Sequence, residues 1–123
     1  GFGVVDVRDV ADLHYRALTA PDIRDERYVC SGPFLKMIDV ATILRDRLGA
    51  KARKVPTRRM PDWMLKAMAL LRPELKQLVN ELGNVRGGDS SHAINTLGWS
   101  MRSPEQTIVD TAESLIERGI VKV

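Results

Sequence analysis

The residues best suited to chemistry lie in one short run, Asp89-Ser90-Ser91-His92. Nucleophilic catalysis needs a serine or cysteine within hydrogen-bond reach of a base that a third group orients. This run, however, precedes a short apolar pattern typical of a helix, and aspartate and serine are common at helix starts. We therefore interpret Asp89 and the two serines as helix-capping groups and His92 as an exposed residue of the first turn.

The other reactive side chains are isolated in the sequence. Cys30 is the single cysteine, so it can form neither an internal disulfide nor a cysteine-based zinc site. We expect Cys30 to be buried in a strand and His14 to be hydrogen-bonded on a helix. The glycines at Gly83, Gly87 and Gly88 lie between two predicted helices, whereas a dinucleotide fingerprint lies between a strand and a helix. The spacing of the residues therefore predicts no catalytic residue, no cofactor-binding residue and no metal ligand.

The composition is that of one folded domain spanning residues 1–123. Hydrophobic residues make up 44% of the 123 positions, which is enough to bury a core. No apolar run reaches the ~18 residues that cross a bilayer, and no charged-then-apolar leader opens the sequence. These features predict a cytoplasmic protein that makes no membrane contact.

Positive charge is concentrated between Arg45 and Arg59, a segment that we call the basic stripe. It contains seven basic residues and one acid, Asp46, while the whole chain carries a net charge of +3. One interpretation places Arg45 and Arg47 in the last turn of a helix and the other basic residues on a solvated strand face. A second is a site for a small anion. The third interpretation is a site for nucleic acid. The stripe contains no aromatic residue for base stacking, which argues against this interpretation.

The chain opens with a strand-like pattern from Gly3 to Arg8, followed by Asp9 as a helix cap. Apolar spacing then predicts a helix from Val10 to about Leu18. A second short strand is predicted over Arg27 to Ser31. Two strands of one sheet joined by a helix favour a parallel βαβ crossover.

Turn and capping signals divide the rest of the chain. The predicted elements are a helix over Phe34 to Leu48 ended by Gly49, an edge strand over Lys51 to Thr57, an apolar helix from Pro61 to Leu71, a helix from Pro73 to Leu82, a helix from Ser90 to Leu97 ended by Gly98, and a helix begun by Ser103-Pro104 and ended by Gly119. The expected fold class is α/β and mostly helical, with about six helices and two or three short strands.

Three blocks of the sequence resemble the C-terminal half of extended short-chain dehydrogenases/reductases. This is the NAD-dependent epimerase/dehydratase family, which includes dihydroflavonol-4-reductase-like proteins. The blocks are residues Val5 to His14, residues Glu26 to Gly32, and residues Asp89 to Ala93 with Leu97 to Ser100 and Arg102 to Glu105. The likeness spans almost the whole chain, and the blocks occur in the family's order.

This resemblance implies that the chain is the substrate-binding domain of a larger NAD(P)-dependent oxidoreductase or epimerase. The family's Rossmann half lies upstream and carries a glycine-rich turn and a Tyr-x-x-x-Lys pair. Neither occurs here, since Tyr15 is followed at the fourth position by Thr19 and Tyr28 by Gly32. The resemblance therefore implies that NAD or NADP binds the parent enzyme, that this fragment binds neither, and that the fragment alone is inactive.

Substrate contacts are expected at three positions. Arg86 matches an arginine that binds substrate phosphate in sugar-nucleotide relatives, although here Gly87-Gly88 separates it from Asp89. Trp63 heads the most apolar helix and is a candidate wall of an apolar cleft, the alternative being simple core packing. Phe34 follows the Gly32-Pro33 turn after a predicted strand, where ligands gather in open α/β sheets.

The expected partners are a carbonyl or sugar-nucleotide-like substrate and the missing Rossmann domain. Without that domain, the strand at Val4 to Val7 should expose backbone donors and apolar side chains, which favours homodimerisation. The alternative function is a self-contained helical interaction module whose basic stripe binds an acidic partner or nucleic acid.

Overall fold

The computed structural model describes residues 1–21, 25–58, 61 and 87–122. Their elements in chain order are strand β1 (Phe2–Gly3), helix α1 (Val7–Thr19), strand β2 (Phe34–Leu35), helix α2 (Met37–Leu48), a 3-10 helix (Gly49–Ala52), helix α3 (Ser91–Leu97) and helix α4 (Pro104–Glu117). This part of the chain is mostly helical, as the sequence predicts. The predicted helices over Pro61 to Leu71 and Pro73 to Leu82 lie outside the described residues.

The sheet differs from the prediction in its direction. Strands β1 and β2 pair antiparallel, with Phe2 opposite Leu35 and Gly3 opposite Phe34. The predicted parallel βαβ crossover is therefore wrong. The chain returns beside β1 at Gly32, where a side chain would collide with the Val4 carbonyl oxygen. Glycine at this position allows the close approach that starts the antiparallel pair.

Helix α1 begins three residues earlier than predicted, which shortens the first strand. The Asp6 carboxylate accepts a hydrogen bond from the Arg8 backbone N–H at 2.8 Å, so Asp6 rather than Asp9 is the N-cap. Residues 4–8 therefore do not continue the predicted strand.

The two other predicted strands are also absent from the described structure. Residues 27–31 join no ladder there, although Tyr28 and Cys30 face the core and Val29 faces outward as they would in a strand. Residues 51–57 start in the 3-10 helix and continue as a turn, held by hydrogen bonds such as Val55 N–H to Ala52 carbonyl at 2.9 Å. The local pattern was right for residues 27–31, but a strand also needs a partner.

Helix α2 ends at the predicted residue, but it begins at Met37 rather than Phe34, because Phe34 and Leu35 form β2. The Asp39 carboxylate accepts from the Lys36 backbone N–H at 2.9 Å, which holds the start of the helix. Gly49 ends it with a positive φ of 50°. Arg45 and Arg47 lie in its last turn, as one interpretation of the basic stripe expects.

The predicted end of α3 and the predicted start of α4 are confirmed. Gly98 ends α3 in the left-handed conformation, with φ of 60°. The Ser103 hydroxyl accepts from the Gln106 backbone N–H at 3.2 Å, and Pro104 occupies the first turn of α4. The core joins α1 to α3 around Leu13, Ala93 and Trp99, while α2 packs against α4. Within the described residues, no helix is both long and apolar enough to cross a bilayer.

Candidate functional site

The predicted substrate contacts are only partly within the described structure. Arg86 and Trp63 lie outside the described residues. Phe34 lies in β2 opposite Gly3, is half-buried, and its ring packs on the backbone of Gly1. Since no parallel strand precedes Phe34, the expected position at the carboxyl end of such a strand is wrong. The role of Phe34 in substrate binding stays a prediction.

A polar depression of the described surface lies where α1 begins. It has a volume of about 360 Å³ and is wide open to solvent. Its lining residues are Arg8, Asp9, Asp12, Ser100, Met101 and Arg102. Two arginines, two carboxylates and a hydroxyl therefore converge on one surface, which we call the arginine cleft.

Asp9, which lines the arginine cleft, is held by Trp99 and Arg102. Trp99 is 1% exposed, and its indole Nε1–H donates to the Asp9 carbonyl at 2.8 Å. The buried Asp9 carboxylate accepts from the Arg102 backbone N–H at 2.7 Å and from its guanidinium. A buried carboxylate is costly unless it is paired, so these bonds fix the loop after α3 against the first turn of α1.

Arg8, which also lines the cleft, is held by Asp6 and Asp110. The Asp6 carboxylate accepts from Nε of Arg8 at 2.8 Å and from Nη2 at 2.6 Å, which is a two-bond fork. The same Nη2 also reaches the Asp110 carboxylate on α4. The Arg8 side chain holds the pKa of Asp6 well below its usual range, while the hydrogen bonds that Arg8 donates to Asp6 and then to Asp110 raise the pKa of Arg8.

These contacts decide what the arginine cleft can do chemically. Both guanidiniums are engaged by carboxylates of the chain itself, so the cleft has little free positive charge for a phosphate. Its described lining also offers the Asp12 carboxylate and the Ser100 hydroxyl. These groups can orient a polar molecule by hydrogen bonds.

The Asp89 to His92 run acts only in part as interpreted. The Asp89 carboxylate accepts from the Ser91 backbone N–H at 2.8 Å. Ser90 makes no capping bond through its side chain. Its hydroxyl instead accepts from the Ser31 N–H and donates to the Ser31 carbonyl, both at 2.9 Å. The capping interpretation is therefore right for Asp89 and wrong for Ser90, which joins the second block to the third.

His92 is exposed, as interpreted, but it is not isolated. Its ring stacks on Tyr28 with centroids 5.1 Å apart, and its Nε2 lies 2.8 Å from the Glu26 carboxylate. This contact, and then the Tyr28 hydroxyl, lower the pKa of Glu26. The other ring nitrogen lies 3.3 Å from the Thr96 hydroxyl. These contacts of His92 hold residues 26–28 against α3.

The other reactive side chains show no convergent site. Cys30 is half-buried outside any described strand, and burial raises the pKa of its thiol. The Nδ1 of the exposed His14 lies 2.8 Å from the Val10 carbonyl oxygen, which confirms the expected hydrogen bond. Among the described residues, no three histidine, cysteine or acidic side chains converge as metal ligands.

Sequence reasoning missed the arginine cleft because its partners are distant in the chain. Asp9 and Arg102 are 93 positions apart, and Trp99 donates across 90 positions. Helix capping alone could explain an aspartate at position 9, so the sequence provided no reason to look for a distant partner. The available signal was the pair of acids, Asp6 and Asp9, at one helix start, because only one of them can be the N-cap.

Comparisons with protein-family models, with curated proteins and with solved structures find no match to this chain. The family resemblance therefore depends on the three sequence blocks themselves.

Proposed function

We propose that the chain is the substrate-binding C-terminal region of an NAD(P)-dependent reductase or epimerase similar to the extended short-chain dehydrogenases/reductases. In this proposal a Rossmann-type half precedes the chain, binds NAD or NADP and carries the catalytic residues. The substrate is a carbonyl compound or a sugar nucleotide, and this region alone is inactive.

The observation that carries the proposal is that the three resembling blocks contact one another. The first and third blocks meet where Trp99 and Arg102 bind Asp9. The second and third meet where Ser90 binds Ser31. Residues that resemble one family in sequence thus also form one hydrogen-bonded unit, which is expected if they were selected together for a common fold.

The described tyrosines do not fit a nicotinamide site. The family's pair requires a lysine four residues after the tyrosine. At that position after Tyr15 stands Thr19, whose hydroxyl donates to the Tyr15 carbonyl at 2.8 Å. The Tyr28 hydroxyl donates to Glu26 at 3.0 Å. No reaction step is therefore assigned to the described residues, and their proposed role is to bind and orient the substrate.

A cofactor titration tests this proposal. Fluorescence or calorimetric titration of the 123-residue chain with NADH and with NADPH should detect no micromolar binding. The same chain extended upstream to include the preceding half should bind one of the two cofactors in the micromolar range. Micromolar binding by the 123-residue chain alone would overturn the assignment.

The basic stripe supports a second candidate, an interaction module for an acidic partner or nucleic acid. Lys51, Arg53, Lys54 and Arg58 are all exposed on the 3-10 helix and the turn after it. Binding through phosphate contacts weakens steeply with salt because counterions are released. A duplex DNA titration at two salt concentrations tests this candidate. Steeply salt-dependent binding would favour it, and no binding at low salt would remove nucleic acid as the partner.

A further inference from the structure

We draw no further inference here: the strongest candidate, the exposed apolar surface patch that Val7, Tyr15 and Leu18 form on α1, supports no proposal, because nothing in the described structure shows what covers it.

Discussion

Asp9 joins the first turn of α1 to the loop after α3. It is buried, it accepts two bonds from Arg102, and its own carbonyl accepts from Trp99. The sequence suggested only a helix cap at this position, because a local pattern contains no information about partners more than 90 residues away. The pairing of Asp9 with Arg102 is decided by the fold.

Asp9→Asn should therefore destabilise the chain. The substitution removes the charge that pairs with the Arg102 guanidinium, and we expect a loss of about 1 to 3 kcal/mol in the free energy of unfolding. Asp46→Asn, at an exposed position on α2, should stay within about 0.5 kcal/mol of the parent. Urea unfolding monitored by circular dichroism measures both. Equal losses for the two variants would show that the buried pair contributes nothing.

The pairing of Asp6 with Arg8 determines how the stability of the chain should change in acid. Its folded-state pKa is held below the usual value by Arg8, so its stabilising contribution is present above the unfolded pKa of about 3.9 and is lost as pH falls below it. Asp6→Asn cannot titrate, so the free energy of unfolding should fall less steeply between about pH 4 and pH 2 than in the parent. Urea unfolding over this range measures the slope. Parallel slopes would contradict the assigned contribution of the Asp6–Arg8 pair.

At the scale of elements, several capping signals were correct, although Asp9 is not the N-cap of α1 and Ser90 makes no capping bond through its side chain. Ser103 with Pro104 placed the start of α4, and glycines placed the ends of α2 and α3, because caps act within a few residues. The predicted strands were mostly wrong, because a strand depends on a partner that is distant in the sequence. Residues 27–31 have the alternation of a strand, yet in the described chain no ladder partner lies beside them.

Ser103→Ala tests the cap at the start of α4. The hydroxyl that accepts from the Gln106 N–H is lost, and we expect about 1 kcal/mol less stability. Ser100→Ala is the control, since Ser100 is exposed and precedes the helix. Thermal unfolding of the two variants compares them. Indistinguishable midpoints would mean that Pro104 and the packing of α4 on α2 fix this helix start without the hydroxyl.

At the scale of the whole molecule, the mostly helical character could be predicted from the sequence. The direction of the strands and the contacts between distant elements could not. Apolar spacing gave the helices, but the antiparallel pairing of β1 with β2 depends on the close approach of Gly32 to Val4. The candidate site could likewise not be predicted, because it depends on how distant parts of the chain are arranged. Phe34 was placed from a predicted parallel strand that does not exist, while the arginine cleft arises from contacts between the two ends of the described chain.

The proposed function requires both parts of the enzyme, the upstream half and this chain, for catalysis. The most direct measurement mixes the 123-residue chain with the separately produced upstream half. It follows NADPH and NADH absorbance at 340 nm with a panel of carbonyl compounds, and epimer formation with a panel of sugar nucleotides. The account predicts that the mixture either oxidises one cofactor or interconverts epimers, and that neither part does so alone. Oxidation by the 123-residue chain by itself, or an upstream half that is as active alone as in the mixture, would contradict it.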